Sequence, residues 1–138
     1  MMQLMRRFTS LFTALLATLA FLPADATAGE KKLMHCFAFT EIATATDADW
    51  AAFMKATNEL PDKIEGLEKV WVGKLRRPLR QYGRNQAEPA ERQSGVCMEM
   101  ADEAALEVYA KHPAHSEWVK VYAKVRVAGT TTFDIIGR

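Results

Sequence analysis

The chain has 138 residues, with 18 basic and 17 acidic side chains and a formal net charge of +1 at pH 7. A nucleic-acid-binding protein would show a strong basic excess on one face, and this near balance gives no sign of that class. The length fits one small domain, and a core of this size gains stability from self-association.

The first 28 residues have the pattern of a secretory signal peptide. Arg6 and Arg7 precede an apolar run over residues 8–22, and Ala26-Thr27-Ala28 supplies the small residues of a cleavage site. The run is shorter than the about 20 apolar residues that span a bilayer. We therefore expect residues 29–138 to form a secreted or periplasmic domain with no membrane attachment.

Alternating apolar residues predict a first strand over residues 33–40, with His35 and Phe37 on one face and Cys36 on the other. Both faces are largely apolar, which predicts a central strand. Thr46 and Asp49 then resemble a capping box with Asp in place of Glu, and they open a helix. The apolar stripe of this helix consists of Trp50, Phe53, Met54, Thr57 and Leu60.

Two further strands are predicted, over residues 67–75 and 95–101. The segment between them, Arg76 to Ser94, carries Pro78 and Pro89 and lacks apolar periodicity, which predicts a long surface loop. Its five arginines are Arg76, Arg77, Arg80, Arg84 and Arg92. The favoured interpretation is a solvated, charge-balanced loop, and the alternative is a lid that attracts an anionic ligand.

The last third of the chain predicts two helices and a strand. Asp102 caps a helix that runs to Lys111, and His112 caps a second helix that begins at Pro113. The apolar stripe of the second helix contains His115, Trp118, Val119, Tyr122 and Val125. Gly129 ends this helix, and residues 130–136 form the final strand.

The order β-α-β-β-α-β predicts an α+β, ferredoxin-like fold with a four-stranded antiparallel sheet. Helices would cover one face of the sheet, and the other face would stay open. This open face is partly apolar and therefore calls for a partner.

Three polar side chains from three elements are predicted to point into the space between sheet and helices. His35 comes from the first strand, Tyr109 from the second predicted helix and His115 from the last helix. They form either a set of core residues that hydrogen-bond one another or a candidate acid–base site. In the second interpretation, His115 is the general base and Tyr109 stabilises an oxyanion.

A small, mostly apolar ligand at this site would contact the neighbouring aromatic residues Phe37, Trp118 and Tyr122. A metal site formed by His35, His112 and His115 ranks last, because an N-capping His112 faces away from the other two. We expect no cofactor and no essential metal.

The two cysteines, Cys36 and Cys97, are predicted on the open face of neighbouring strands. Export would place them in an oxidising compartment, where a disulfide can form, and two buried free thiols are the alternative. Adjacent strands lie about 4.8 Å apart, so the distance permits a bond. We take the two strands as parallel, which points the Cβ atoms side by side, and so expect reduced thiols.

Together these features resemble the stress-responsive A/B barrel (Dabb) family over nearly all of residues 29–138. The resemblance is carried by His35, by the glycine turn in "IEGLEKVWVGK", by Tyr-x-x-His-Pro-x-His at residues 109–115 and by Phe133-Asp134. It implies a dimeric α+β barrel, a homodimer in which two ferredoxin-like subunits pack their open sheet faces together.

The resemblance also implies two classes of function. Many members have no known reaction, and some plant members are stress-associated and very stable. One branch contains plant polyketide cyclases that perform an intramolecular aldol condensation. In that branch the catalytic tyrosine and histidine would correspond to Tyr109 and His115, with His35 nearby in the pocket. This sequence has Ser94 where the branch has a pocket histidine. We therefore expect binding of a small apolar or aromatic ligand, with a cyclase or lyase as the alternative.

Overall fold

The computed structural model describes residues 31–84 and 87–138, and the predicted signal peptide, residues 1–28, lies outside them. The elements in chain order are β1 (Leu33–Phe39), α1 (Asp47–Asn58), α2 (Leu60–Lys63), β2 (Leu67–Gln81), β3 (Ala90–Met100), α3 (Glu103–Lys111), α4 (Pro113–Tyr122) and β4 (Thr131–Ile136). The strands form one antiparallel sheet in the order β2-β3-β1-β4. The predicted ferredoxin-like α+β fold is confirmed.

The predicted helix starts are confirmed by their capping hydrogen bonds. Thr46 and Asp49 form the capping box of α1, with each side chain accepting the backbone N–H of the other residue. His112 caps α4, because its Nδ1 accepts the N–H of Ala114 at 3.1 Å. In the described part of the chain, no helix is long and apolar enough to cross a bilayer.

The core lies between the helices and one face of the sheet. Phe39 on β1 and Phe53 on α1 are each 0% exposed and pack edge to face with ring centroids 6.2 Å apart. Residues that alternate along β3 complete the sheet side of the core: Val96, Met98 and Met100. The period of two along β1 therefore assigned its inner face correctly, and the same period holds along β3.

The prediction of a long loop over residues 76–94 is wrong. β2 continues to Gln81 and β3 begins at Ala90, so the two strands form an extended hairpin. The register shifts between Lys74 and Leu79, and Pro78 falls within this irregularity, where a missing N–H is tolerated. These residues form strands through cross-strand pairing, which includes a 2.8 Å ion pair between Arg80 and Glu91, although their sequence lacks apolar periodicity.

The prediction of reduced thiols is also wrong, since Cys36 and Cys97 form a disulfide. β1 and β3 run antiparallel, not parallel, and their register sets the two cysteines directly opposite each other. Their Cα atoms are 4.2 Å apart, close to the spacing of a non-hydrogen-bonded antiparallel pair. In that arrangement the side chains approach each other across the strands.

The open face of the sheet, on the side away from the helices, carries large exposed apolar side chains. Trp71 on β2 is 51% exposed, and Phe133 and Ile135 on β4 are 44% and 57% exposed. The disulfide lies between these strands, and a groove of about 280 Å³ runs beside it. The predicted partly apolar open face is therefore present.

Candidate functional site

The structure brings together the three polar residues predicted to converge, named here the histidine–tyrosine cluster: His35, Tyr109 and His115. The ring centroids of Tyr109 and His115 are 4.3 Å apart, and those of His35 and Tyr109 are 5.8 Å apart. The His112-Pro113 helix junction causes this proximity, because it turns the chain between Tyr109 at the end of α3 and His115 in the first turn of α4.

A carboxylate on β4 orients the histidine of β1. Nδ1 of His35 lies 2.6 Å from Oδ1 of Asp134, and β1 and β4 pair these two residues directly. A carboxylate in this position holds an imidazole in one tautomer and one orientation. The sequence contained Asp134 in the Phe133-Asp134 pair, but only the strand register reveals its contact with His35.

The protonation states of Tyr109 and His115 suit proton transfer. Burial raises the pKa of Tyr109, so its hydroxyl keeps its proton and can donate a hydrogen bond. Burial also lowers the pKa of His115, so its imidazole is neutral at pH 7. Nδ1 of His115 lies 3.4 Å from the carbonyl oxygen of Ala110, which leaves Nε2 as the nitrogen that can accept a proton.

The residues predicted to contact a ligand lie in the aromatic core. Phe37, Trp118 and Tyr122 are at most 5% exposed. Their rings contact one another, with centroids 5.8 Å apart for Phe37–Trp118, 5.4 Å for Phe37–Tyr122 and 4.8 Å for Trp118–Tyr122. Their role as a ligand-contacting wall stays a prediction.

His112 does not join the other two histidines, because its ring serves as the helix cap. Among residues 31–84 and 87–138, no group of three or more His, Cys, Asp or Glu side chains comes together as a metal site.

A second candidate site, which the sequence did not reveal, is a cleft between α1 and the sheet, named here the α1 cleft. Its volume is about 330 Å³, at the lower end of the range for small-molecule pockets. Its walls are mainly apolar, and the lining residues are Phe39, Glu41, Trp50, Met54, Val72, Gly73, Lys74 and Ser94.

The polar groups of the α1 cleft are linked to one another. The Glu41 carboxylate accepts a hydrogen bond from the Ser94 hydroxyl and forms an ion pair with Lys74. Burial is the largest single effect on the Glu41 carboxyl and would raise its pKa. The two contacts together outweigh burial, so the pKa is lowered. The cleft therefore combines an apolar wall with a fixed carboxylate and ammonium.

One sequence signal for this cleft was available. Trp50 and Met54 lie one helical turn apart on the predicted stripe of α1, and this spacing places them on the same helix face. The structure leaves Met54 37% exposed, so the stripe extends past the core. Glu41 and Lys74 come from distant segments, and no local pattern joins them.

The fold and the histidine–tyrosine cluster define a small α+β protein of ferredoxin-like architecture whose inner face carries polar residues. Residues 33–136 match the family model of the stress responsive A/B barrel domain, and the chain belongs to this Dabb family. No match was found among curated proteins.

Solved structures of the same fold include a Dabb family protein from Mesorhizobium loti, 21% identical, with a TM-score of 0.53 over 79% of this chain and 99% of that one. A dimeric ferredoxin-like protein of unknown function from Thermobifida fusca is 17% identical, with a TM-score of 0.57 over 78% of this chain and 92% of that one. A hydroxynitrile lyase from Passiflora edulis is 9% identical, with a TM-score of 0.58 over 80% of this chain and 95% of that one. At these identities the likeness concerns the fold.

Proposed function

We propose that the protein is an exported homodimer that binds a small, mostly apolar molecule in the α1 cleft and serves a stress-response role without an essential metal. The observation that carries this proposal is the cleft itself, with Trp50 and Met54 on one wall and Val72 on another. Burial of apolar ligand surface against such walls contributes about 25 cal/mol per Å².

The dimer rests on the open face of the sheet. Trp71, Phe133 and Ile135 expose apolar surface that a second copy would cover. The Thermobifida fusca protein of the same fold is dimeric, which supports this arrangement. Export rests on the signal-peptide pattern of residues 1–28, and the disulfide suits an oxidising compartment.

Light scattering at micromolar concentration tests the dimer. Trp71→Glu places a charge in the proposed interface and is expected to give a monomer. Val108→Glu is the matched control, because Val108 is 48% exposed on α3, away from the sheet. A monomeric parent protein, or a Trp71→Glu variant that still dimerises as tightly as the parent, would contradict the interface.

Ligand binding is tested by thermal unfolding with a series of naphthalene and benzene derivatives. A ligand present at 100 times its Kd adds about 2.7 kcal/mol of stability. Met54→Glu is expected to abolish the stabilisation by placing a charge in the cleft, whereas Val108→Glu is expected to retain it. Equal stabilisation of parent and Met54→Glu would show that the ligands bind elsewhere.

The alternative function is an enzyme of the cyclase or lyase type that uses the histidine–tyrosine cluster. This alternative is favoured by the ring centroids of Tyr109 and His115, which lie 4.3 Å apart, and by the neutral imidazole beside a protonated phenol. His115 would remove a proton next to a carbonyl or from a hydroxyl, and Tyr109 would donate to the developing oxyanion.

This alternative is tested by turnover of an aromatic hydroxynitrile and of a linear polyketide analogue. His115→Ala is expected to abolish turnover with the fold intact. His112→Asn is the control, because asparagine also caps helices and the residue lies outside the cluster. Turnover that survives His115→Ala would exclude His115 as the base.

A further inference from the structure

Two arginines at one end of the core differ from every other basic residue in the described part of the chain. Arg92 on β3 and Arg126 after α4 are half-buried, whereas the remaining lysines and arginines of that part are exposed. Neither has a carboxylate within 4.0 Å among the described residues. Arg92 and Arg126, named here the arginine pair, therefore lack a counter-ion in this part of the chain. This is unusual, because lysine and arginine are rarely buried without a partner.

The fold brings the two arginines to the same place through Thr40. Nη1 of Arg92 donates a hydrogen bond to the Thr40 hydroxyl at 3.1 Å. The Thr40 carbonyl accepts the N–H of Val127, the residue after Arg126, at 2.8 Å. Glu41, the residue after Thr40, pairs with Arg126 in an isolated antiparallel bridge.

Polar atoms at this place lack partners. Nε of Arg92, Nε of Arg126 and the hydroxyl of Tyr122 are buried and have no hydrogen-bond partner among the described residues. The Arg126 guanidinium lies 4.5 Å from the centroid of the Tyr122 ring. Burial raises the pKa of Tyr122 against the opposing effect of Arg126 and Arg92, so its hydroxyl keeps a proton to donate.

The local carboxylates are already engaged. Glu41 pairs with Lys74 and accepts from Ser94, and Glu91 pairs with Arg80. The charge of the arginine pair is therefore available to a ligand. A carboxylate suits it, because its two oxygens accept parallel hydrogen bonds from a planar guanidinium fork.

The arginine pair adjoins the α1 cleft. Ser94 lines the cleft, and Arg92 lies two residues earlier on the same face of β3. The ring of Phe39, which also lines the cleft, packs edge to face on Tyr122 at 5.1 Å. A molecule with its apolar body in the cleft could direct an acidic group toward the pair.

We infer that the ligand of the α1 cleft is a small apolar carboxylic acid, bound through its carboxylate by Arg92 and Arg126 with Tyr122 as a further donor. This inference rests on the proposed ligand-binding function and specifies its ligand class.

The test uses benzoate and benzamide, which share a ring and differ in charge, and follows NMR signals of the purified protein. The Nε–Hε signals of Arg92 and Arg126 report on the arginine pair, and the Met54 methyl signal reports on the cleft. We expect benzoate to shift all three with one Kd and benzamide to bind about tenfold more weakly, because a charge-assisted hydrogen bond is lost.

Variants separate the arginine pair from general charge effects. Arg92→Gln and Arg126→Gln are each expected to remove the preference for benzoate, whereas Arg76→Gln, an exposed arginine on β2, is expected to keep it. Inorganic phosphate at the same concentration is expected to shift the arginine signals less than benzoate does.

The outcomes distinguish the two proposals. If both probes shift the Met54 signal equally and the arginine signals stay unchanged, the cleft binds apolar ligands and the carboxylate inference is wrong. If benzoate shifts only the arginine signals, or phosphate shifts them as strongly, the pair is a separate anion site and the inference is again wrong. If neither probe shifts any of the three signals, both proposals fail.

Discussion

Removal of the Cys36–Cys97 disulfide is expected to lower the free energy of unfolding by about 4 kcal/mol. The two cysteines are 61 residues apart, so the bond closes a loop that includes α1, α2 and β2. In the chain-entropy model, such a loop restricts the unfolded chain by about 14 cal/mol/K, which corresponds to about 4 kcal/mol at 25 °C. This is a large share of the about 5–15 kcal/mol by which small domains are stable.

Urea unfolding of the oxidised protein, the reduced protein and Cys36→Ala/Cys97→Ala at one protein concentration measures the effect. Reduced protein and the double variant should be similarly destabilised, because both lack the covalent link. The reductant should leave the double variant unchanged, which controls for other effects of the reagent. A loss below about 1 kcal/mol on reduction would refute the loop-closure reasoning. Alkylation of both cysteines without reductant would refute the disulfide itself.

Three further predictions concern the core and a turn. Thr57→Val should lower the free energy of unfolding by about 2 kcal/mol in urea titrations, because it leaves the buried Trp118 N–H, now 2.8 Å from the Thr57 hydroxyl, without an acceptor; no change would mean that water replaces it. Stability should fall as the pH drops below about 6.5, since burial lowers the pKa of His115 in the folded state and the unfolded state binds the proton more readily. His115→Gln should flatten this part of the plot of stability against pH, and an unchanged plot would show that another group causes the pH dependence. Gly66→Ala should lower the free energy of unfolding by about 2 kcal/mol or more, because φ is +83° and a Cβ would lie 2.5 Å from the Ala105 side chain. Gly73→Ala, with open space around the residue, should change it by no more than about 0.5 kcal/mol, and similar melting temperatures for the two variants would contradict this interpretation of the turn.

Local patterns predicted the residues of the histidine–tyrosine cluster and the helix starts. The period of two in β1 assigned His35 to the inner face, and the N-cap at His112 positioned His115 on the inner side of α4. These features depend on residues close in sequence, where backbone geometry alone fixes the direction of a side chain.

The errors arose where distant segments determine the result. β2 extends to Gln81 because β3 supplies hydrogen-bond partners, and this pairing leaves no mark in the composition of residues 76–81. The cysteines bond because β3, as the return strand of a hairpin, runs opposite to β1. The α1 cleft likewise joins Glu41, which follows β1, to Lys74 of β2, and no short window of sequence contains both residues.

The exposed edge of the sheet has a consequence for the solubility of the protein. β2 is an edge strand, and its outer half carries Arg76, Arg77, Pro78 and Arg80. Cations repel a second edge, and the proline lacks the N–H that an added strand would need. Growth of the sheet into fibrils through this half of β2 is therefore disfavoured, and the homodimer proposed above would cover the apolar surface around Trp71 without using this edge.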